Sequence, residues 1–183
     1  MKYFKDILIG LKPFRSALWL AAFMLFVWWL FVGKDYAFMH VRGVSMEPTL
    51  DNKEWFVTQR TGSLGKEWKP EMFDVIVVRE SGELLCKRII GLPGDTIEIK
   101  GGYIYLNGLR VKDVYGRGRI SVQLVDENDK DLHYWGTNKK AIKYVDAAPI
   151  IVPNGSLWVI GDNRTVSWYG LVDEKEILGR VII

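Results

Sequence analysis

An uninterrupted apolar run near the N-terminus constrains this chain more than any other feature. None of the 18 residues from 16 to 33 is charged, and from position 17 they read ALWLAAFMLFVWWLFVG. As an α-helix they would span about 27 Å, close to the roughly 30 Å core of a bilayer. A buried helix of a soluble protein would normally keep a polar stripe over five turns. We therefore expect a transmembrane anchor over residues 16–33.

The residues on either side of the apolar run indicate whether it is cleaved and which way it crosses the membrane. A cleaved leader has a shorter apolar stretch that ends in small residues, whereas here Lys34 and Asp35 follow directly. Residues 1–16 carry a net charge of +3, while Lys34 and Asp35 cancel each other. The positive-inside rule keeps residues 1–15 in the cytoplasm and exports residues 34–183. The sequence thus predicts an uncleaved signal anchor, with the lipid bilayer as a partner.

Charge and cysteine content limit the function of the exported part. The 183 residues include 25 Lys and Arg against 22 Asp and Glu, and residues 1–16 hold the whole excess. A neutral body argues against nucleic-acid binding, which normally needs a basic face. The one cysteine, Cys86, excludes an internal disulfide and a Cys-rich zinc site, and His40 and His133 lack metal-ligand spacing. We expect no nucleic-acid partner, no metal and no cofactor.

The exported part has the pattern of β-structure. Strand-like runs alternate with turn dipeptides such as Gly101-Gly102, at residues 73–79, 84–90, 96–100, 103–106, 158–160 and 177–183. No convincing amphipathic helix follows residue 40. Residues 111–150 are charged and interrupted by glycine, which is typical of a more variable insertion. We predict a mainly β catalytic body over residues 34–183, with an inserted smaller lobe at 111–150.

The first segment with chemical potential is residues 43–50, GVSMEPTL. Pro48 restricts Glu47 to extended conformations, and glycine at position 43 allows a close backbone approach. Such a frame would present the hydroxyl and the backbone N–H of Ser45 at a defined place. Taken alone the signal is weak, since a serine in a loop before proline is usually a turn residue.

The second segment is residues 84–95, LLCKRIIGLPGD. On a strand, Lys87 would share one face with its apolar neighbours Leu85 and Ile89, while Cys86 and Arg88 share the other. An inward-facing lysine would have a lowered pKa, and its neutral amine can act as a general base. A lone strand lysine more often faces solvent. The segment alone therefore leaves both interpretations open.

The third segment is residues 161–167, GDNRTVS. Its Gly-Asp-Asn start is ordinary turn chemistry. A serine at position 167 has a second use, because its hydroxyl can hydrogen-bond and orient a catalytic amine.

Together the three segments resemble the conserved boxes of type I signal peptidases, the membrane-bound Ser/Lys leader peptidases. Ser45-Met46-X-Pro48 matches the nucleophile box, residues 87–95 match the lysine box, and Gly161-Asp162-Asn163-Arg164-X-X-Ser167 matches the C-terminal box. Their order and the preceding anchor agree as well. The resemblance covers residues 17–110 and 150–183.

The resemblance implies a role for each matched residue. Ser45 would be the nucleophile, Lys87 the general base, and Ser167 the residue that orients Lys87. The backbone N–H of Ser45 would stabilise the oxyanion, and the family's second donor, often a hydroxyl two residues earlier, is missing because this chain has Gly43 there. The remaining supporting residues would be Asp162, Asn163 and Arg164.

The resemblance also implies a substrate and a location. The enzyme would remove signal peptides from exported preproteins that bind as an extended strand with small residues at positions −1 and −3. It would lie in the bacterial inner membrane with the catalytic domain on the outer side. Ser45 lies twelve positions after Gly33, so an extended chain reaches at most about 40 Å. The nucleophile would therefore lie near the membrane surface.

One departure from the family pattern concerns the end of the last box. The family usually continues beyond its serine with an Asp-Ser-Arg run, whereas Ser167 is followed directly by Trp168-Tyr169-Gly170. We expect a shortened loop beside the site. Because the Asp and Arg of that run have no counterpart here, the sequence does not say which residues hold Asp162 and Arg164 in place.

Three alternative functions are compatible with parts of the pattern. A conjugation-linked pilin-processing peptidase or cyclase, in which a peptide amine attacks the acyl-enzyme, fits the compact chain and the short last box. Self-cleaving Ser/Lys repressors share the dyad, but they are cytoplasmic and carry a DNA-binding module. A catalytically inactive, membrane-anchored binding protein is disfavoured because Ser45 and Lys87 are both present.

Overall fold

The computed structural model describes residues 12–64, 68–123 and 142–182. Strands account for 44% of the chain and helices for 18%, so the prediction of a mainly β protein is confirmed. Most of the cytoplasmic segment predicted at residues 1–15 lies outside the described residues. The same holds for the middle of the predicted lobe, including His133.

One long helix, α1, covers Lys12–Asp35 and contains the predicted anchor. Its stretch Ser16–Asp35 has 20 residues, a mean hydropathy of 2.0 and no residue buried inside the protein. Large apolar side chains such as those of Trp19 and Phe23 are exposed on it. A helix of this length and exposed apolar surface is suited to a bilayer.

In the part of the chain that the structure describes, thirteen strands follow, together with two short 3₁₀ turns at Thr61–Ser63 and Glu174–Glu176. In chain order the strands are β1 Tyr36–His40, β2 Trp55–Arg60, β3 Val75–Glu80, β4 Glu83–Gly91, β5 Thr96–Lys100, β6 Tyr103–Leu106, β7 Leu109–Arg110, β8 Ser121–Gln123, β9 Ile142–Tyr144, β10 Ala147–Ile151, β11 Ser156–Ile160, β12 Tyr169–Asp173 and β13 Ile177–Ile182. The strands predicted at 96–100 and 103–106 have these same limits.

Seven strands form a large antiparallel sheet in the order β1-β2-β13-β3-β4-β11-β12. The central pair β3 and β4 comes from one hairpin, and β11 lies on the other side of β4. Ile160, the last residue of β11, pairs with Arg88 of β4. This register brings residue 161 beside Lys87, so that the second and third segments meet at one place in the sheet.

A second sheet contains β10, β5, β6 and β7 in that order, and β8 pairs with β9. Its inner side packs on a cluster that includes Ile97, Trp158 and Ile160. Ile120, which lies within the predicted lobe, is buried in the same cluster. The two ends of the stretch 111–150 therefore contact the body, while its standing as a separate lobe stays a prediction.

Two further apolar clusters hold the segments of interest. Met46 is buried in one of them against Val75 and Val77 of β3. The other contains Ile76 and Ile89, which lie on the opposite face of the same sheet because strand residues alternate. The first cluster anchors the loop that carries Ser45, and the second surrounds the face on which Lys87 lies.

Candidate active site

Lys87 is buried in the middle of the large sheet. It pairs with Ile76 of β3 and has only 3% of its surface exposed. Its strand neighbours on the same face, Leu85 and Ile89, both pack on the apolar cluster of Ile76. Loss of water disfavours a charged amine. Burial accordingly lowers the pKa of Lys87 from its ordinary 10.5 to about 8.

Ser167 is the hydrogen-bond partner of the buried amine. Lys87 Nζ donates to Ser167 Oγ at 3.0 Å. The same oxygen accepts from the Gly161 N–H at 2.7 Å, and its O–H donates to the Trp168 carbonyl at 2.8 Å. Because the hydroxyl proton is already committed to a carbonyl, the serine presents a lone pair to the amine.

Ser45 lies in a half-buried position in the loop after β1. The next residue, Met46, fills the apolar cluster with 1% of its surface exposed, and its carbonyl accepts from the N–H groups of Thr49 and Leu50 at 2.9 and 3.0 Å. The Glu47-Pro48 peptide bond in this turn is cis. A buried anchor and a closed turn thus fix the backbone on the C-terminal side of Ser45.

Gly43 has a different reason to be glycine from the one expected. A Cβ at this position would have no heavy atom of the described residues within 4 Å, so no close approach within that part of the chain requires the glycine. The φ angle of Gly43 is +109°, a conformation that side chains oppose. The backbone turn before Ser45, and not crowding, therefore requires glycine.

Some polar groups of Ser45 form hydrogen bonds within the protein and others do not. Its carbonyl accepts the backbone N–H of Asn163 at 3.0 Å. Across the part of the chain that the structure describes, neither its hydroxyl nor its backbone N–H has a hydrogen-bond partner. The carbonyl therefore holds Ser45 in place, while the hydroxyl stays available as a nucleophile and the backbone N–H as a hydrogen-bond donor.

Asn163 joins the Ser45 loop to the turn that carries Ser167. Its side-chain amide donates to the Val44 carbonyl at 3.2 Å, next to the backbone bond to Ser45. Its own carbonyl accepts the Ser167 N–H at 3.0 Å. A single residue thus contacts both segments through three hydrogen bonds.

Gly161 lies between the same two segments. A Cβ built on it would lie 2.2 Å from the Ser45 carbonyl oxygen and 2.4 Å from Ser167 Oγ. Both distances are too short for any side chain. Glycine here is what lets the Ser45 loop approach Ser167 and, through it, the Lys87 amine.

Arg88 and Asp162 form a buried ion pair on the other face of β4. The guanidinium Nε and Nη2 donate to the two carboxylate oxygens at 2.8 and 2.7 Å, and the side chains are 2% and 0% exposed. Arg88 Nη1 also donates to the Phe73 carbonyl at 2.7 Å, and the Thr49 hydroxyl donates to Asp162. A buried pair persists when its remaining donors are satisfied in this way.

Arg164 pairs with a residue that the sequence analysis did not select, Asp113. Both are largely buried, with 4% and 10% of their side-chain surface exposed. Burial, with a smaller contribution from nearby Arg88, lowers the pKa of Arg164 to about 10. Asp162 and Arg164 thus both have partners, despite the short loop after Ser167. No motif distinguishes Asp113 in the sequence.

Residues 12–183 match the family described as signal peptidase, peptidase S26. The chain belongs to this family. Its members are serine peptidases that act through a Ser/Lys dyad, which confirms the predicted family and the predicted type of enzyme. The function that follows is removal of signal peptides from preproteins, and the apolar helix α1 makes this signal peptidase a membrane-anchored hydrolase.

The sequences of two relatives support the assignment. Signal peptidase I of Bacillus licheniformis is 33% identical over 144 residues, which cover 76% of this chain and 70% of the relative. Signal peptidase I P of Bacillus subtilis subsp. natto is 32% identical over 168 residues, covering 88% and 84%. A crystal structure of a signal peptidase I from Enterococcus faecalis V583 is 25% identical with a TM-score of 0.41, covering 63% of this chain and 98% of that one.

Cys86 and His40 are the other side chains that could act as a nucleophile or a base, and both pack against neighbouring side chains. Cys86 packs against the apolar cluster of Met46, and burial raises the pKa of its thiol to about 12, which disfavours a thiolate. His40 lies in β1 with its ring 5.1 Å from that of Trp55. Within residues 12–64, 68–123 and 142–182, no group of three or more His, Cys, Asp and Glu side chains is placed to hold a metal ion.

Proposed function

We propose that this signal peptidase cleaves its substrates through an acyl-enzyme, with Ser45 as the nucleophile and Lys87 as the general base. The observation that carries the proposal is the buried Lys87 amine bound to Ser167 Oγ at 3.0 Å. Ser45, whose hydroxyl has no hydrogen-bond partner among the described residues, lies across Gly161 from the same serine. This arrangement supplies a nucleophile, a base and an orienting group in one place.

The lowered pKa of Lys87 makes the amine useful as a base. With a pKa of about 8, roughly a tenth of the enzyme holds the neutral amine at pH 7, several hundredfold more than an ordinary lysine would. One of its N–H groups donates to Ser167 Oγ, which leaves the nitrogen lone pair directed toward other neighbours. The amine is then able to take a proton from an incoming hydroxyl.

The reaction proceeds in two acyl transfers. Lys87 takes the Ser45 proton while Ser45 Oγ attacks the scissile carbonyl, and the unpaired N–H of Ser45 stabilises the oxyanion. The Lys87 ammonium then gives its proton to the leaving amine as the peptide bond breaks. A water that Lys87 deprotonates next attacks the ester, and collapse of that intermediate returns the proton to Ser45 and releases the new carboxyl end.

The supporting residues act through position. Ser167 orients the amine, and Asn163 fixes the distance between the Ser45 loop and Ser167. Asp162 pairs with Arg88 and Arg164 pairs with Asp113, and these pairs fix the loop on its other side. Gly43 provides the left-handed turn that precedes Ser45.

The substrate would be an exported preprotein with small residues before the cleavage site. An extended segment that adds to a sheet edge gains main-chain hydrogen bonds, and shallow pockets then select small side chains. Support for this class comes from the relatives, which are signal peptidases I of bacteria.

The proposed topology follows from the charge around α1. Residues 1–15 would be cytoplasmic, residues 16–33 would span the bacterial inner membrane, and residues 34–183 would form the exported peptidase domain with 111–150 as its smaller lobe. The net charge of +3 before the span favours this direction. The lipid bilayer is thus a partner of the enzyme as well as its location.

The test is intact-mass analysis of a precursor with an Ala-X-Ala cleavage site, incubated with the detergent-solubilised enzyme. Wild type should yield a linear mature product, and Ser45→Ala and Lys87→Met should yield none. The exposed Lys175→Met is a matched control and should cleave like wild type. Retained cleavage in Ser45→Ala would refute the dyad. A product lighter by one water would identify attack by a peptide amine, as in a pilin cyclase.

A further inference from the structure

Residues 113–118, which we call the strap, lie between β7 and β8 and run along the 161–167 turn. The Arg117 N–H donates to the Asp162 carbonyl at 2.7 Å, and the Arg164 N–H donates to the Arg117 carbonyl at 2.9 Å. Arg117 thereby forms a parallel bridge with Asn163. The backbone of the strap is therefore paired with the part of the turn that contacts Ser45.

Asp113 makes the side-chain connection between the strap and the turn. One carboxylate oxygen pairs with Arg164 Nη2, and the other accepts the N–H groups of Tyr115 and Gly116 at 2.9 and 3.1 Å. Both oxygens are thus in use, and the carboxylate is held in a single orientation. Among the described residues, Arg164 Nη1 is buried without a partner, so Asp113 is the acidic group on which this guanidinium depends.

The backbone of Gly116 packs closely against the ion pair of Asp113 and Arg164. A Cβ added to Gly116 would lie 2.6 Å from Arg164 Nε and 2.8 Å from the Asp113 carboxylate. The strap also covers the second ion pair of the site, because the Arg88 guanidinium lies 3.8 Å from the centre of the Tyr115 ring. A shift of the strap would therefore change the surroundings of both Arg164 and Arg88.

Arg164 directly follows the residue that joins the two catalytic segments. Asn163 donates to the Ser45 carbonyl and accepts from the Ser167 N–H, each at 3.0 Å. A displaced Arg164 would move Asn163, and with it both serines relative to the Lys87 amine. Displacement of Ser167 would also give water access to Lys87, a residue that is now only 3% exposed.

We propose that Asp113 is a positioning residue, which acts through Arg164 and Asn163 to hold Ser45 and Ser167 against Lys87. The inference rests on the proposed roles of Ser45 and Lys87. It assigns a part in the reaction to a residue of the predicted variable lobe. Asp113 itself does not touch the reacting atoms, so its effect must appear in the turnover and in the titration of Lys87.

The test compares Asp113→Asn with wild type in the full-length, detergent-solubilised enzyme, using a signal-peptide substrate over a range of pH. We expect kcat to fall about tenfold or more with KM within about twofold, because only the alignment of the catalytic groups is lost. The midpoint of the rising pH limb should shift upward by about half a unit or more, since water regains access to Lys87. Asp146→Asn is the matched control, because this carboxylate accepts the Gly101 N–H at 2.6 Å in another loop, and it should keep wild-type values.

A second variant tests the same point without changing any charge. Gly116→Ala forces Arg164 to move, and we expect the same loss of kcat and the same shift of the pH midpoint. Thermal unfolding of each variant reports whether it is folded, and Gly116→Ala decides if Asp113→Asn does not fold. A lowered melting temperature with unchanged kcat and pH midpoint would overturn the inference, since the strap would then only stabilise the fold.

Ser45→Ala separates this inference from the proposed function. If Ser45→Ala is inactive and the two strap variants behave like wild type, the positioning role of Asp113 is wrong and the dyad stands. If Ser45→Ala cleaves normally, the dyad is wrong, and the inference falls with it.

Discussion

The backbone N–H of Asn163 donates to the carbonyl oxygen of Ser45 at 3.0 Å, across 118 positions of the chain. The carbonyl of the same asparagine accepts the Ser167 N–H. The loop that carries the proposed nucleophile and the turn that orients the proposed base are therefore joined at one residue. Changes on either side of this junction should alter the turnover more than the affinity for substrate.

The first prediction concerns the pH dependence of cleavage. Because burial lowers the pKa of Lys87 to about 8, kcat/KM should rise about tenfold per pH unit below neutrality and level off above about pH 8. Initial rates on a signal-peptide substrate between pH 6 and pH 10 measure this profile. A flat profile, or a midpoint near the ordinary lysine value of 10.5, would show that the amine is not the buried base described above.

The second prediction concerns stability. The folded-state pKa of Lys87 lies below its unfolded value, so the unfolded chain binds the extra proton between about pH 8 and 10.5. The free energy of unfolding should therefore rise with pH through that window, and at pH 7 the lysine lowers it by up to about 3 kcal/mol. Lys87→Met, which removes this cost and a hydrogen bond of about 1 kcal/mol, should unfold at a higher temperature at pH 7 while being inactive.

The control for this comparison is Lys175→Met, whose side chain is exposed. It should melt at the temperature of wild type at every pH. The advantage of Lys87→Met should shrink as the pH approaches 10.5. An equal difference between wild type and Lys87→Met at pH 7 and pH 10 would contradict the linkage.

The third prediction concerns Ser167. Ser167→Ala removes the oxygen that accepts from Lys87 Nζ and leaves the buried Gly161 N–H without an acceptor. We expect kcat to fall about 10- to 100-fold with KM nearly unchanged, because the amine loses its orientation. Ser63→Ala removes a serine that also bonds backbone carbonyls, at Asp35 and Arg60, and should leave kcat unchanged. Normal kinetics in Ser167→Ala would remove the orienting role.

The fourth prediction concerns Gly161. Gly161→Ala would place a methyl group 2.2 Å from the Ser45 carbonyl oxygen and 2.4 Å from Ser167 Oγ, so the two segments must separate. We expect a loss of activity of about 100-fold or more and a lower melting temperature. Gly62→Ala is the matched control, because a Cβ there has no atom of the described residues within 4 Å and the backbone φ is not left-handed. An active Gly161→Ala would mean that this close approach has no part in catalysis.

The sequence predicts the anchor and the central strands well because each is a local pattern. An uncharged run of bilayer length and alternating residues between turn dipeptides are readable within a short window. The limits of β5 and β6 match the prediction for this reason. The strand predicted from residue 73 begins instead at Val75, because Phe73 has a left-handed φ of +74°, which an apolar residue does not signal.

What the sequence does not predict depends on contacts between distant positions. The sequence pattern does not predict β1 or β2, although the two strands pair along five residues, since neither is bounded by clear turn dipeptides. Asp113 is one charged residue among many until the fold brings it to Arg164. The surroundings of Lys87 show the same limit, because alternation alone does not say which face of β4 is inward.

The junction between α1 and β1 has a consequence for substrate choice. The helix ends at Asp35 and the strand begins at Tyr36, and the Ser63 hydroxyl donates to the Asp35 carbonyl at 2.9 Å. If α1 spans the bilayer as proposed, this direct connection would hold the peptidase domain at a fixed height above the membrane surface. Cleavage would then depend on distance as well as on sequence, because the scissile bond of a precursor would have to lie at that height, and the polar stretch after its apolar segment would need the matching length.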